Sequence, residues 1–304
     1  MIHIFFHSSD MDGHCSGAIS KYFYTEIKNK PVKMYPINYE DKFPWEEIKK
    51  DDKVVMVDFA IKPNYDMKIL NSKCDLVWID HHKSAIDTVN KVTKIKGLQS
   101  TKYAGCELTW KVFFPNIPIP EFVKLLGRYD VWDESDKNRW KDEILPFQFG
   151  IKGFRTNPAR PDNKVLLDLT RKAVNGLSTR EFLRDTIDTG KRIKTYQENI
   201  DESYMESLVY YVEFEGYRCI VANYRGNSNS FKSVWNPDKH DIMLMYYNMI
   251  RDNKSIYTVS LYTTKDIDCG QIAKKYGGGG HPQAAGFQTE DLPWLIENKK
   301  EGFL

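Results

Sequence analysis

The chain has 304 residues, with 44 Lys and Arg against 42 Asp and Glu, a formal charge of +2. This length suits two domains, and so small a charge gives no electrostatic case for binding nucleic acid non-specifically. Hydrophobic residues make up 41% and aromatics 13%, enough for ordinary cores, yet no apolar run reaches the roughly 18 residues of a membrane span.

The opening Met1-Ile2-His3-Ile4-Phe5-Phe6 lacks the basic region and length of a signal peptide and reads as a first strand. It runs into His7, with Asp10 and Asp12 close behind, and a helix is predicted over residues 16–28. Strands follow at 32–37 and 53–57, the second ending at Asp58. Pro63 marks a helix start, an amphipathic stretch runs to Asn71, and a strand at 76–79 ends in Asp80-His81-His82. Helices are expected over about 103–114 and 120–129. The latter carries Phe122, Val123, Leu125 and Leu126 at helical spacing and leads into Asp130. Strands separated by helix-length segments imply βαβ units and a mostly parallel, Rossmann-like α/β sheet.

Residues 150–206 read as largely helical, and about 179–207 is long enough for a helix bridging two domains. The texture then changes. Residues 210–214 and 217–221 flank Glu215-Gly216 as a hairpin. Ile242 to Ile250 and Ile256 to Tyr262 form a second strand pair. The expected organisation is a first domain over 1–150, a helical connector over 151–207, and a smaller α+β domain over 208–304, with the boundary near 195–207. The five cysteines are scattered and without CxxC spacing, which points to reduced thiols and a cytoplasmic setting.

Three strand ends thus deliver carboxylate or imidazole: His7, Asp10 and Asp12; Asp58; and Asp80, His81 and His82. An open parallel sheet builds its site at such ends. Each fragment alone has a bland explanation. Asp10-Met11-Asp12-Gly13 could be a turn and helix cap, Asp58 another cap, and a His-His pair an ordinary surface feature. One sheet with all of them calls for a common cause. Hard divalent ions take oxygen ligands, and Mn²⁺ accepts imidazole as well. Two such ions about 3.5–4 Å apart can clamp a phosphate and generate hydroxide near neutral pH.

His7-Ser8-Ser9-Asp10-Met11-Asp12-Gly13, Val57-Asp58, Asp80-His81-His82 and Gly127-Arg128-Tyr129-Asp130 resemble, in order, the four motifs of the DHH phosphoesterase superfamily. That group includes RecJ-type exonucleases, nanoRNases with pAp phosphatase activity, cyclic-dinucleotide phosphodiesterases and manganese pyrophosphatases. The resemblance covers residues 1–135 by motif order. It implies two metal ions, Mn²⁺ or Mn²⁺ with Mg²⁺. His7, Asp10 and Asp58 would hold one; Asp12, Asp58, His81 and Asp130 would hold the other, with Asp58 bridging. His82 would sit beside the substrate phosphate, and Asp80 would orient an imidazole from behind. His7 precedes Asp10 by three residues where many members have four.

Gly277-Gly278-Gly279-Gly280-His281 is the second signal. Glycines can take φ > 0 and aim N–H groups at an anion; the bland alternative is a linker. With the Pro-Gln-Ala-Ala-Gly-Phe that follows, the run resembles the loop of the DHHA1 domain, the usual partner of DHH domains in exonucleases and nanoRNases. That resemblance implies that Gly278, Gly279, Gly280 and His281 contact the nucleotide. Ser260-Leu261-Tyr262 stands where relatives often carry Ser-Leu-Arg.

The expectation is therefore a two-domain, manganese-dependent phosphohydrolase acting on short nucleotides or oligonucleotides of nanoRNase, pAp or cyclic-dinucleotide type. It would work without a membrane or an obligate protein partner, with homo-oligomerisation left open. The alternatives are a RecJ-like single-strand exonuclease, which the near-neutral charge disfavours, and a non-catalytic nucleotide binder, which has little need of the full acidic set.

Overall fold

The structure is a computed structural model in which residues 1–295 are described. The chain divides into two compact units, Met1–Lys194 and Thr195–Leu304.

In the first unit, β1 (Ile2–His7), β2 (Val32–Ile37), β3 (Lys53–Val57), β4 (Asp75–Asp80) and β5 (Lys96–Gln99) form an all-parallel sheet in the order β2-β1-β3-β4-β5. Successive strand residues point to opposite faces. Accordingly Ile4, Phe6, Val55, Val57 and Ile79 enter one core, while Phe5, Val54, Met56, Leu76 and Trp78 enter the other. Burial on both faces explains why β1, β3 and β4 read as largely apolar runs.

The helices of this unit are α1 (Met11–Tyr22), α2 (Asp66–Lys73), α3 (Lys83–Val89), α4 (Gly105–Phe113), α5 (Glu121–Asp130), α6 (Lys137–Arg139), α7 (Leu145–Ile151), α8 (Val165–Val174) and α9 (Arg180–Leu208), the last of which continues into the second unit. Helices α1, α4 and α5 cover one face of the sheet through Ile19, Trp110 and Phe122, while α2 and α3 cover the other through Leu70 and Val89. Ile151, Leu166, Leu169 and Leu183 belong to the first core, so the chain packs into this unit well past residue 150. Helix α1 starts five residues before its expected position and runs into a π-helical turn at Phe23–Ile27. Asp130 is the last residue of α5 rather than the residue after it.

The second unit is a mixed sheet of β6 (Val209–Phe214), β7 (Tyr217–Asn223), β8 (Ile242–Arg251), β9 (Lys254–Tyr262), β10 (Gly279–His281) and β11 (Ala284–Thr289), with α10 (Cys269–Lys275) packed on it. Strands β7 and β8 pair parallel; the other neighbours are antiparallel. Both tight hairpins have positive φ at two successive residues, Glu215-Gly216 and Asp252-Asn253, as a type I′ turn requires. The glycine run differs from the expected loop. It turns out of α10 and becomes the edge strand β10. A Cβ at Gly278 would stand 2.1 Å from the Gly286 carbonyl oxygen, so close strand approach demands glycine there. No described helix is long and apolar enough to cross a membrane.

Candidate metal centre

The strand order reverses at β1, because the chain passes from β1 to β2 on one side and then to β3 on the other. Such a switch point opens a crevice at the carboxyl ends of the strands. The register pairs Phe6 with Val57 and Val57 with Ile79. His7, Asp58 and Asp80 therefore lie side by side, one residue further on.

Asp58 is the centre of the arrangement. Its side chain is 1% exposed, and neither carboxylate oxygen has a hydrogen-bond partner. Its φ of +53° is unusual for a residue with a Cβ. Two sets of ligand-type atoms converge on or beside it. His7 Nδ1 lies 2.8 Å from Asp10 Oδ2 and 3.9 Å from Asp58 Oδ2. The His7–Asp10 approach lacks hydrogen-bond geometry, as expected when two ligand atoms face a common point. His81 Nε2 lies 3.2 Å from Asp58 Oδ1, 3.4 Å from Asp130 Oδ2 and 3.7 Å from Asp12 Oδ2. His7, Asp10 and Asp58 make one potential metal-holding group, Asp12, His81 and Asp130 a second, and Asp58, His81 and His82 a third, with ligand atoms in each within 4.8 Å of one another.

Every predicted member of the first-domain set is thus brought together. The surroundings decide how each is held. Asp10 caps α1, accepting the Gly13 N–H at 2.8 Å. A Cβ on Gly13 would stand 2.0 Å from the His7 carbonyl oxygen, so glycine lets α1 begin against the end of β1. Asp12 is fixed by the first turn of α4, accepting the Gly105 and Cys106 N–H groups, each at 2.7 Å. Nothing in the residue types announced this contact, because backbone amides carry no sequence signature. Asp80 is fully buried and lies against His82, not His81: Oδ1 is 2.7 Å from His82 Nδ1 and also accepts the His81 N–H at 2.8 Å. Asp130 is tied to α4 at one remove. Arg128, two residues before it, donates to buried Glu107 at 2.9 Å and to Asp133 at 3.0 Å.

The electrostatics fit a cation site. Burial, then the carboxylates of Asp12, Asp10, Asp130 and Asp80, push the Asp58 pKa well above its ordinary value. Burial, then Asp12 and Asp10, do the same to Asp130. For His82, burial opposes the charge, but the Asp80 hydrogen bond and the nearby carboxylates outweigh it and raise the pKa. An oxygen-rich set with two or three imidazoles and a buried carboxylate lacking any donor suits hard divalent ions.

Gly278, Gly279, Gly280 and His281 belong to the second unit, at its β10 edge, with Gly280 and His281 exposed. Of the aromatics flanking Asp130 in sequence, Trp132 is 53% exposed, whereas Trp140 and Phe147 are buried.

Two family models match the chain: the DHH family, N-terminal domain, over residues 1–126, and the DHHA1 domain over residues 236–304. An uncharacterized protein of Acanthamoeba polyphaga mimivirus is 24% identical over 89% of this chain and 60% of its own length. Oligoribonuclease NrnB of Bacillus subtilis (strain 168) is 24% identical over 96% of this chain and 73% of its own. The chain therefore spans well under the full length of the curated proteins it resembles. Among solved structures, the pGpG-specific phosphodiesterase PggH of Vibrio cholerae superposes with a TM-score of 0.54 at 14% identity, over 100% of this chain and 98% of that one. A DHH domain from a member of the s1p family of ribosomal proteins gives 0.56 at 15%, over 99% and 86%. At these identities the structural likeness speaks to the fold.

Proposed function

Because the chain belongs to the DHH/DHHA1 phosphoesterase superfamily, we propose that it is a manganese-dependent phosphohydrolase that cleaves phosphoester bonds in short nucleotides or oligonucleotides. The observation that carries this reading is Asp58: a buried carboxylate with both oxygens unbonded, standing between two ligand clusters. His7, Asp10 and Asp58 would hold one ion, and Asp12, Asp58, His81 and Asp130 the other. Bound metal would neutralise phosphoryl charge and lower the pKa of an attacking water.

The protein's own groups do the rest. The α4 amides hold the Asp12 carboxylate in place. Asp80 takes the Nδ1–H of His82, which leaves Nε2 as the ring atom available to a substrate oxygen. His82, whose pKa the Asp80 hydrogen bond and the nearby carboxylates raise, would deliver a proton to the leaving oxygen as water adds to phosphorus and the ester bond breaks. The β10 edge, with the exposed backbone of Gly280 and the His281 ring, is assigned to the nucleotide. The curated relative named an oligoribonuclease supports short RNA as the substrate class.

The test is a panel of dinucleotides, longer oligonucleotides, pAp, cyclic dinucleotides and pyrophosphate, assayed with Mn²⁺ and with chelator. Short nucleotides should be cleaved only with metal, and Asp58→Ala should lower the rate by about a hundred- to a thousandfold, the order of loss seen when a main source of transition-state charge stabilisation is removed. Undiminished cleavage by Asp58→Ala would exclude the reading.

A further inference from the structure

Five carboxylates, Asp10, Asp12, Asp58, Asp80 and Asp130, gather in one crevice. An anionic substrate entering it needs positive charge that these carboxylates have not already absorbed. The chain places a Lys or Arg within four residues of a cluster member at Lys62, Lys83 and Arg128. Two of the three are taken. Lys83 donates to Asp87 at 2.7 Å, and Arg128 is shared between Glu107 and Asp133.

Lys62 is different. It is exposed, and among the described residues no carboxylate lies within ion-pair distance of it. Its ammonium instead sits 4.2 Å above the centre of the Tyr39 ring, where the electron-rich face holds a cation without neutralising it. Tyr39 in turn borders the cluster. Its ring centre is 5.4 Å from that of His7 and 6.2 Å from that of His82, and it stacks on Phe59 at 4.9 Å. Phe59 is 2% exposed and immediately follows Asp58. The neighbouring Asn38 accepts from Ser8 and Ser9 Oγ at 3.0 and 2.7 Å, tying the Tyr39 loop to the loop that leads into Asp10. Both supports of the ammonium are therefore anchored to strand ends that carry the cluster.

We propose that Lys62, seated on Tyr39, binds a second phosphate of the substrate, the one next to the scissile phosphate, and so selects short nucleotides bearing a terminal phosphate. The ammonium stands one aromatic ring away from the imidazoles of the cluster, so it meets a neighbouring phosphate and not the reacting one. This rests on the hydrolase reading above and adds to it a specificity-determining residue.

The test compares a dinucleotide with its 5′-phosphorylated and 3′-phosphorylated forms, using the wild type, Lys62→Met and Lys62→Arg. Met keeps the stem on the ring and removes the charge. The wild type should prefer one phosphorylated form at least tenfold in kcat/KM, as a charge-assisted contact warrants. Lys62→Met should lose that preference mainly through KM, cleave the unphosphorylated dinucleotide within twofold of wild type, and Lys62→Arg should restore the preference. Retained preference in Lys62→Met, an equal fall on all three substrates, or no preference in the wild type would overturn the proposal. Equilibrium binding with Ca²⁺ in place of Mn²⁺ separates the two readings. Lys62-dependent binding of the terminal phosphate without any cleavage by the wild type in Mn²⁺ would uphold this site and sink the hydrolase.

Discussion

A carboxylate that is 1% exposed and has neither oxygen hydrogen-bonded is destabilising unless a cation compensates it. Without metal, Asp58 must take up a proton, which is what burial and its carboxylate neighbours favour by raising its pKa. A folded-state pKa above the unfolded value of about 3.9 means that stability is lost as pH rises through the folded value and regained as pH falls. Asparagine has the same shape, needs no charge and tolerates the positive φ found here. In chelator at pH 8, Asp58→Asn should therefore be more stable than wild type by about 1–3 kcal/mol. The gap should narrow as the pH is lowered to 5, and with Mn²⁺ the order should reverse because only the wild type gains from binding. Denaturant unfolding checks all three. A less stable Asp58→Asn in chelator would mean that the carboxylate has a compensating partner after all.

At the scale of elements, α4 acts as the bracket of the centre. Its first two amides hold Asp12, and its Glu107 holds Arg128 on α5, two residues before Asp130. The helix can come this close only because Gly105 has no Cβ: one built there would lie 2.8 Å from Asp12 Oδ2, Asp58 Cβ and Asp58 Oδ1. Gly105→Ala should thus cost about 1–3 kcal/mol, as overpacking does, and weaken Mn²⁺ binding at least tenfold. Calorimetric titration reads the affinity, and unchanged affinity would show that the helix can retreat without moving Asp12. The elements that carry ligands were legible because β1, β3 and β4 are buried on both faces and break off in polar residues. Strand β5, Lys-Gly-Leu-Gln at the sheet edge, has no such run, and its Gly97 is required by close approach to the Trp78 carbonyl, which leaves no apolar signal. The first turn of α1 was missed for a related reason. Its Met-Asp-Gly-His serves the crevice, so the helical apolar period starts only later. Gly105, Tyr39 and Lys62 left no pattern at all, since their roles come from close approach across the fold.

At the scale of the whole molecule, the two units have separate cores, and the whole predicted ligand set lies in the first. The second contributes a mixed sheet whose glycine run was legible as a distinct feature, though its form as an edge strand was not, because strand pairing depends on Gly286 and Phe287 several residues further on. The first unit is expected to bind a pair of divalent ions through Asp58. The most direct test is calorimetric titration of the metal-free 304-residue chain with Mn²⁺, in wild type and Asp58→Asn. About two equivalents should bind per wild-type chain, as a carboxylate-bridged pair requires, and the bridging-site variant should lose at least one of them. No binding by the wild type, or identical stoichiometry and affinity in the two proteins, would contradict it.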